Sequence, residues 1–543
     1  MSEFSLALFE KIFDVTNDDF VTLSNNHIDY SKISYYRKGE RLFKFRDYWP
    51  SKEIFKSNER VQRVVRETNI WFRHRNVLEY TYRKVFENSV PEGMDNFDLI
   101  YDLLECAASN REVSKRHYAL LQNEDNNTMY QDFRNMVDEK YRSNDFFVNL
   151  LRSNQVKSNQ DLDNYYSSKE YIDKAVETCK SFYGDNLALL SYGTQVFPDI
   201  AIVASEELKK EMSIYENSSL TIDEKMEGLE RLVNMPEFFK LDESQPTEII
   251  VEKDLPEELQ SRVNEKVKKN NTGFKRQKML LNDSGQIIGM NFGICKYREN
   301  VITSEILTYG IKNDDNTFRN IIKNETGEGL SSLLNADMYN SIVGTQCIVL
   351  FYNSKHNYIG YKAKEGILWT KLLQRSKEVY EKIGCLQFSG VGSFTVRAGE
   401  NPIEAAIKGG FDIFSSLKCE YVEELFGAKE KHTGEDSTGQ KKQLESMIMD
   451  GKAFIEFLGV SAALDTLKTD LVYLLLITDD SYVNNHFDSN FEDEADGAYV
   501  VPIDKVVTLL KESEYIKGRE LVGPIELLKH SKLLQKLDYT ALQ

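Results

Sequence analysis

Apolar residues recur at three- and four-residue spacing through much of the first third of the chain, the period of a helix with one buried face. Phe4, Leu8, Phe9, Ile12 and Phe13 lie on one side of a short amphipathic helix. The same spacing over Asp95–Leu104, Met129–Val137 and Ser168–Phe182 predicts a helical domain from about Ser57 to Gly184. Only Pro50 and Pro91 fall in this third, so few positions interrupt helix hydrogen bonding.

Beyond Gly184 the pattern changes. Leu187–Leu190 and Ile200–Val203 have the look of short buried strands, with Ser205 placed to cap a charged helix. Thr221 followed by Glu224 has capping-box spacing and opens another helix. Two prolines and an acidic bias between Asp242 and Pro256 mark a boundary. Gln277–Asn282 and Gln286–Phe292 flank Asp283, Ser284 and Gly285, which predicts a β-hairpin. A second pair is expected from Gln346–Tyr352 and Tyr358–Lys362. Strands at Leu386–Ser389 and Phe394–Arg397 precede a helix at Pro402–Lys418, a polar loop near 428–440 and an apolar strand at Leu471–Thr478.

Strands and helices alternate irregularly, so the expected class is α+β with several domains, a helical N-terminal region followed by a mixed C-terminal one. The expected divisions are 1–184, helical and carrying a basic amphipathic helix; 185–245, a mixed middle segment; and 246–543, an α+β domain that divides further near 428–440. No repeat of fixed period is present.

Composition narrows the class. The 543 residues are 41% hydrophobic, 29% charged and 11% aromatic, as in a folded globular protein. The longest apolar run, Leu471–Ile477, is far shorter than the roughly 20 residues of a bilayer helix, so no membrane partner is expected. No basic-then-apolar leader opens the chain, and six widely spaced cysteines contain no C-x-x-C pair. Reduced thiols in a cytoplasmic protein without a zinc site are the plain expectation.

Net charge is −19, which by itself disfavours a nucleic-acid partner. The total conceals a polarity. Between Ser31 and Phe86 stand fifteen Lys or Arg against six Asp or Glu, a net of +9 that leaves −28 on the remainder. Read as one helix from Lys52 to Phe86, this region puts Lys52, Lys56, Arg63, Arg66, Arg73 and Lys84 on a stripe about 100° wide. Val61, Val64, Trp71, Leu78 and Phe86 gather on another face. Tyr35, Tyr36, Phe43, Phe45, Tyr48 and Trp49 lie just upstream among cations, the mixture that single-stranded nucleic acid meets on its binding surfaces. A solvated face paired with acidic groups of the same chain or of a second copy is the plainer interpretation.

Three other patterns point to phosphodiester chemistry. Asp479, Asp480 and Asp488 follow the Leu471–Thr478 strand, where hard-cation ligands of magnesium-dependent nucleases commonly sit; an acidic solvated loop is the ordinary alternative. Pro198-Asp199 with Glu207-x-Lys209 imitates a PD-(D/E)xK nuclease pattern, yet a helix after Ser205 would turn the lysine away. Arg111 and His117, six positions apart in a predicted helix, resemble the R-x(4–6)-H element of HEPN-type ribonucleases, which cleave RNA as dimers without metal. The resemblance covers seven residues. It implies that Arg111 would stabilise phosphate charge and His117 would assist proton transfer, with Glu112 standing where Asn, Asp or His is common.

The expected function is therefore that of a cytoplasmic binding or scaffold protein whose basic N-terminal helix contacts nucleic acid or an acidic protein surface. Self-association of basic and acidic regions is expected with it. No cofactor is implied by this function; the alternative, a phosphodiester-cleaving enzyme, would work either metal-free through Arg111 and His117 or with magnesium at the three aspartates.

Overall fold

The computed structural model describes residues 4–13, 15–65, 72, 75–91, 93–121, 168–184, 187–209, 221–242, 255–267, 271–327, 330–336, 339–353, 357–358, 361–362, 367–375, 385–396, 411–426, 439–479, 482, 495–511, 518–537, 539 and 542. The chain divides into two compact units, Met1–Phe146 with His356–Lys364 and Phe147–Lys355 with Glu365–Gln543. The fold is α+β, with helices in the N-terminal region and the sheets mainly in the C-terminal part.

The described part of the first unit is built almost wholly of helices: α1 (Leu6–Ile12), α2 (Asn17–Leu23), α3 (Tyr30–Arg37), α4 (Phe45–Tyr48), α5 (Lys52–Ser57), α6 (Glu59–Arg63), α7 (Arg75–Phe86), α8 (Asn96–Ser109) and α9 (Arg111–Leu121). Local chemistry sets their starts. Ser5 accepts Leu8 N–H at 3.2 Å, while Thr16 with Asp19 and Asp95 with Asp98 form capping boxes. Helix α8 buries Leu99, Ile100, Leu103, Leu104 and Ala107, against which α1 and α5 pack. Truncating Leu103 to Ala would cost about 2–5 kcal/mol. Aromatic rings complete the core: Phe9, Phe13 and Phe72 in one group, and Phe43, Phe45, Trp49, Phe55 and Tyr101 in another.

The continuous helix expected from Lys52 to Phe86 is not formed. The chain breaks at Asn58, whose backbone is extended (φ −76°, ψ 117°) and whose Oδ1 accepts Arg60 and Val61 N–H at 3.1 Å each. An asparagine amide satisfies orphan N–H groups at a helix start better than it tolerates a helix interior, so one helix ends and another begins there. Tyr82 and Phe86 still pack together on α7, with ring centres 4.4 Å apart.

In the second unit, besides a two-residue pair at Ser191–Tyr192 and Gln195–Val196, the strands are β1 (Asp199–Val203), β2 (Phe239–Leu241), β3 (Thr272–Leu281), β4 (Ile287–Lys296), β5 (Val343–Asn353), β6 (Ile367–Arg375), β7 (Leu386–Phe388), β8 (Val391–Ser393), β9 (Ala453–Ala463), β10 (Lys468–Ile477) and β11 (Ala495–Pro502). Eight of them form a mixed sheet in the order β7-β6-β5-β10-β9-β1, with β8 on β5 and β11 on β6. β5 and β10 run parallel in register Thr469 to Val343 through Ile477 to Phe351; the other pairs are antiparallel. This central placement explains the unbroken apolar run Leu471–Ile477, because both faces are covered. A bulge at Gly459 (φ +145°) brings the backbone so near β1 that a Cβ would lie 2.2 Å from Ile202 O.

β2, β4 and β3 form a smaller sheet in that order. Its hairpin is the expected one: Asn282 Oδ1 accepts Ser284 and Gln286 N–H, and Gly285 takes φ +73°. By contrast, β5 pairs with β6, and Asn357–Tyr358 pairs with Tyr361–Lys362. The helix before Phe426 is described as Ile413–Phe426, later than expected; residues 402–410, the segment Met129–Val137 and the polar loop at 428–438 lie outside the described residues. The Lys169–Tyr183 helix, expected with the first domain, belongs to the second unit, where Tyr171 donates to Asp465 at 3.0 Å.

All six cysteines are unbridged and five are buried; burial pushes the Cys347 thiol up to about 12, which keeps it unreactive at neutral pH. Among the described residues no helix is long and apolar enough to cross a membrane.

Candidate nucleic-acid interface

The cationic and aromatic residues of the first unit divide into those used by its core and those presented to solvent. Phe43, Phe45 and Trp49 belong to the core, and the Trp49 indole N–H donates to Leu23 O at 2.8 Å. Tyr48 is half-buried under a stacked His27 ring, with centres 4.7 Å apart. Tyr35 and Tyr30 are 43% and 56% exposed.

The end of α3 explains this presentation. Gly39 N–H bonds to Tyr36 O and Glu40 N–H to Tyr35 O, with Gly39 at φ +65°, the closure of a Schellman motif. No side chain fits here: a Cβ on Gly39 would lie 2.6 Å from Arg111 O and 2.9 Å from Lys115 Cγ of α9. Arg111 fastens the turn from α9, its Nε donating to Gly39 O at 2.8 Å and its Nη2 to Glu40 O at 3.2 Å. The chain then doubles back, so that the Arg41 guanidinium lies over the Tyr35 ring, 5.3 Å from its centre. Lys38 sits over Tyr118 on α9 at 5.8 Å, and Lys44 is 63% exposed, 3.7 Å from an equally exposed Asp47. Cation–ring contacts of this kind hold a charge in place without neutralising it.

The six cations of the expected stripe have different environments. Lys52 is paired with Asp102 at 2.7 Å, and Lys56 with Asp98 at 2.6 Å and Asp95 at 3.3 Å, all within the first unit. Burial disfavours the charged Lys56, but its hydrogen bonds to Asp98 and Asp95 outweigh this and raise its pKa. These two lysines fasten α5 to α8. Arg63 is exposed at the end of α6, and Lys84 is exposed with its ammonium 5.6 Å from the Tyr80 ring centre. Arg66 and Arg73 lie outside the described residues.

Arg111 and His117 are both on α9 but about 120° apart around it. Arg111 is engaged by the Gly39 turn, whereas His117 is 4% exposed with Nδ1 2.9 Å from Ser5 Oγ. Their functional groups are not brought together, and Glu112 is paired with Lys115 at 3.0 Å. Asp479 is paired with Lys452 at 2.9 Å and accepts Tyr482 N–H at 3.2 Å; Asp480 and Asp488 lie outside the described residues. Among the described residues no three His, Cys, Asp or Glu side chains gather as metal ligands would. Lys209 donates to His530 O at 2.7 Å while Asp199 binds Arg519, so these two members of the PD-(D/E)xK-like pattern are engaged separately.

Sequence reasoning found the aromatic–cation mixture but missed the turn that sorts it. The available signal was Lys38-Gly39, a helix-ending glycine directly after Tyr35-Tyr36-Arg37. The chain matches no protein-family model and no curated protein.

Proposed function

We propose that the first unit binds single-stranded nucleic acid at a surface centred on Tyr35 and Arg41 and edged by Lys38 and Lys44. The observation that carries this is an exposed tyrosine ring lying under a guanidinium, with further cations beside it. The ring offers a stacking platform to a base, and the cations neutralise the neighbouring phosphates. The polarity of the chain supports the same conclusion: +9 between Ser31 and Phe86 attracts a polyanion, while −28 elsewhere repels it from the rest. Single strands fit better than duplex because only unpaired bases expose a face to an aromatic ring. An acidic protein surface would use the cations and leave Tyr35 idle.

Fluorescence anisotropy with labelled single-stranded RNA and DNA, duplex DNA and polyglutamate tests this. The expected order is single strands first, with Tyr35→Ala weakening them and leaving polyglutamate unchanged. Equal binding of polyglutamate and single strands, with no effect of Tyr35→Ala, would transfer the surface to an acidic protein partner.

A further inference from the structure

Arg276, in the middle of β3, is 0% exposed. A guanidinium stays charged in proteins, and a charge removed from water without an opposing one is costly. Among the described residues no carboxylate is recorded against it. Its Nη2 donates to the Tyr339 hydroxyl, which donates in turn to Ser332 O at 3.3 Å, and the Tyr339 ring centre is 5.8 Å from the guanidinium carbon. Nε and Nη1 have no acceptor. The Tyr183 hydroxyl, at the end of the Lys169–Tyr183 helix, is also buried and without a partner. It is within electrostatic reach of Arg276, Tyr339 and Arg319.

Charge bookkeeping across this interior leaves the same remainder. Asp199 and Asp465 are both held by Arg519, and Arg319 is held by the backbone oxygens of Leu464 and Asp465. Among the described residues, three buried guanidinium groups therefore accompany two buried carboxylates here, and Arg276 is the one that neither carboxylate nor backbone oxygen engages. Donor geometry then specifies the missing group. Nη2 carries two N–H bonds and spends one on Tyr339. The other runs parallel to an N–H of either Nε or Nη1, whichever edge Tyr339 leaves open, so a two-pronged fork remains available. Forks of this kind match two oxygens of one oxyanion.

We propose that Arg276, positioned by Tyr339 and joined by the Tyr183 hydroxyl, is a closed site for one small oxyanion: phosphate, sulfate or a short carboxylate. The site is sealed from solvent, so the anion is an internal counter-charge of the second unit, taken up as that unit closes. It belongs to the second unit, whereas the proposed nucleic-acid surface belongs to the first.

Thermal unfolding of the full chain, at constant ionic strength with chloride exchanged for phosphate, sulfate or acetate, tests this. One oxyanion is expected to raise the midpoint of the second unit by roughly 2 °C per tenfold increase above its dissociation constant. Arg276→Lys keeps the charge but removes the fork and should lose that preference. Tyr183→Phe, which leaves every recorded hydrogen bond intact, should weaken it. A rise of the same size in both variants would be a general salt effect and would overturn the proposal. So would indifference of the native chain to all three oxyanions.

Discussion

Arg519 grips Asp199 across 320 residues of sequence, with N–H···O distances of 2.8 and 3.2 Å and both groups buried. The same guanidinium holds Asp465 at 2.8 and 2.6 Å, so it ties the start of β1 to the turn between β9 and β10. Replacing Arg519 with Met would leave two buried carboxylates facing each other, a loss of about 3–5 kcal/mol. The variant carboxyls would have raised pKa values and would be neutralised by acid. The stability gap between native and variant protein should therefore narrow from pH 8 to pH 5 in denaturant unfolding. A gap of constant size would show that the lost packing, rather than the charge, is what Arg519 supplies.

Glu10 on α1 shows desolvation prevailing over a nearby cation. Its Oε2 accepts Arg37 Nε at 2.6 Å, yet burial pushes its carboxyl up to about 8 against the pull of that arginine. The unfolded chain gives up this proton near pH 4.5 and the folded one only near 8. Across that window the folded state binds more protons, so stability of the first unit falls as pH rises and levels off above 8. Glu10→Gln keeps a neutral side chain of the same shape and should flatten the decline. Unfolding midpoints measured between pH 5 and 8 decide the matter, and a parallel decline in the variant would assign the titration to another group.

The proposed surface separates two kinds of lysine. Lys44→Ala removes an exposed cation and should lower the salt dependence of binding by about one phosphate equivalent, with little effect on stability. Lys56→Ala should do the reverse, leaving Asp98 and Asp95 unmatched between α5 and α8 while affinity is unchanged. Tyr35→Ala should cost roughly 1–3 kcal/mol of binding to single strands. Anisotropy titrations at several salt concentrations, paired with unfolding curves, distinguish the two lysine roles; identical behaviour would dissolve the distinction.

What could be read in the sequence was what is decided locally. The helices after Asp95 and Ser168 showed in the three- and four-residue spacing of their apolar side chains, and Thr221 announced its helix because a cap and its N–H partner lie within three residues. The Asp283-Ser284-Gly285 hairpin was legible for the same reason. Leu471–Ile477 and Gln346–Tyr352 were both visible as strands, but their parallel pairing was not, since no periodicity encodes a neighbour so distant in sequence. The break at Asn58 has an equally local cause, yet apolar residues at helical spacing on both sides concealed it. At the surface the limit is sharper. Tyr35 and Phe43 have similar surroundings in sequence, yet Phe43 packs on Phe20 and Phe45 while Tyr35 faces water, and between them lies the Gly39 turn that Arg111 holds from 72 residues away.

The same contact bears on whether α9 cleaves RNA. A metal-free ribonuclease needs its arginine near the scissile phosphate and its histidine within hydrogen-bond reach of the moving proton. Here the Arg111 donors are directed at Gly39 O and Glu40 O, and the His117 ring lies in the interior beside Ser5. Moving either into a shared site would release the Gly39 turn or open the α1–α9 contact. Labelled RNA should therefore stay intact in the presence of chelator. His117→Ala should lower the unfolding midpoint of the first unit, because it removes a buried ring and one of the two hydrogen bonds at Ser5 Oγ, without changing RNA binding at Tyr35. Chelator-resistant cleavage by the native chain that disappears in both His117→Ala and Arg111→Ala would require α9 to rearrange in the active protein, and would make catalysis rather than binding the work of this unit.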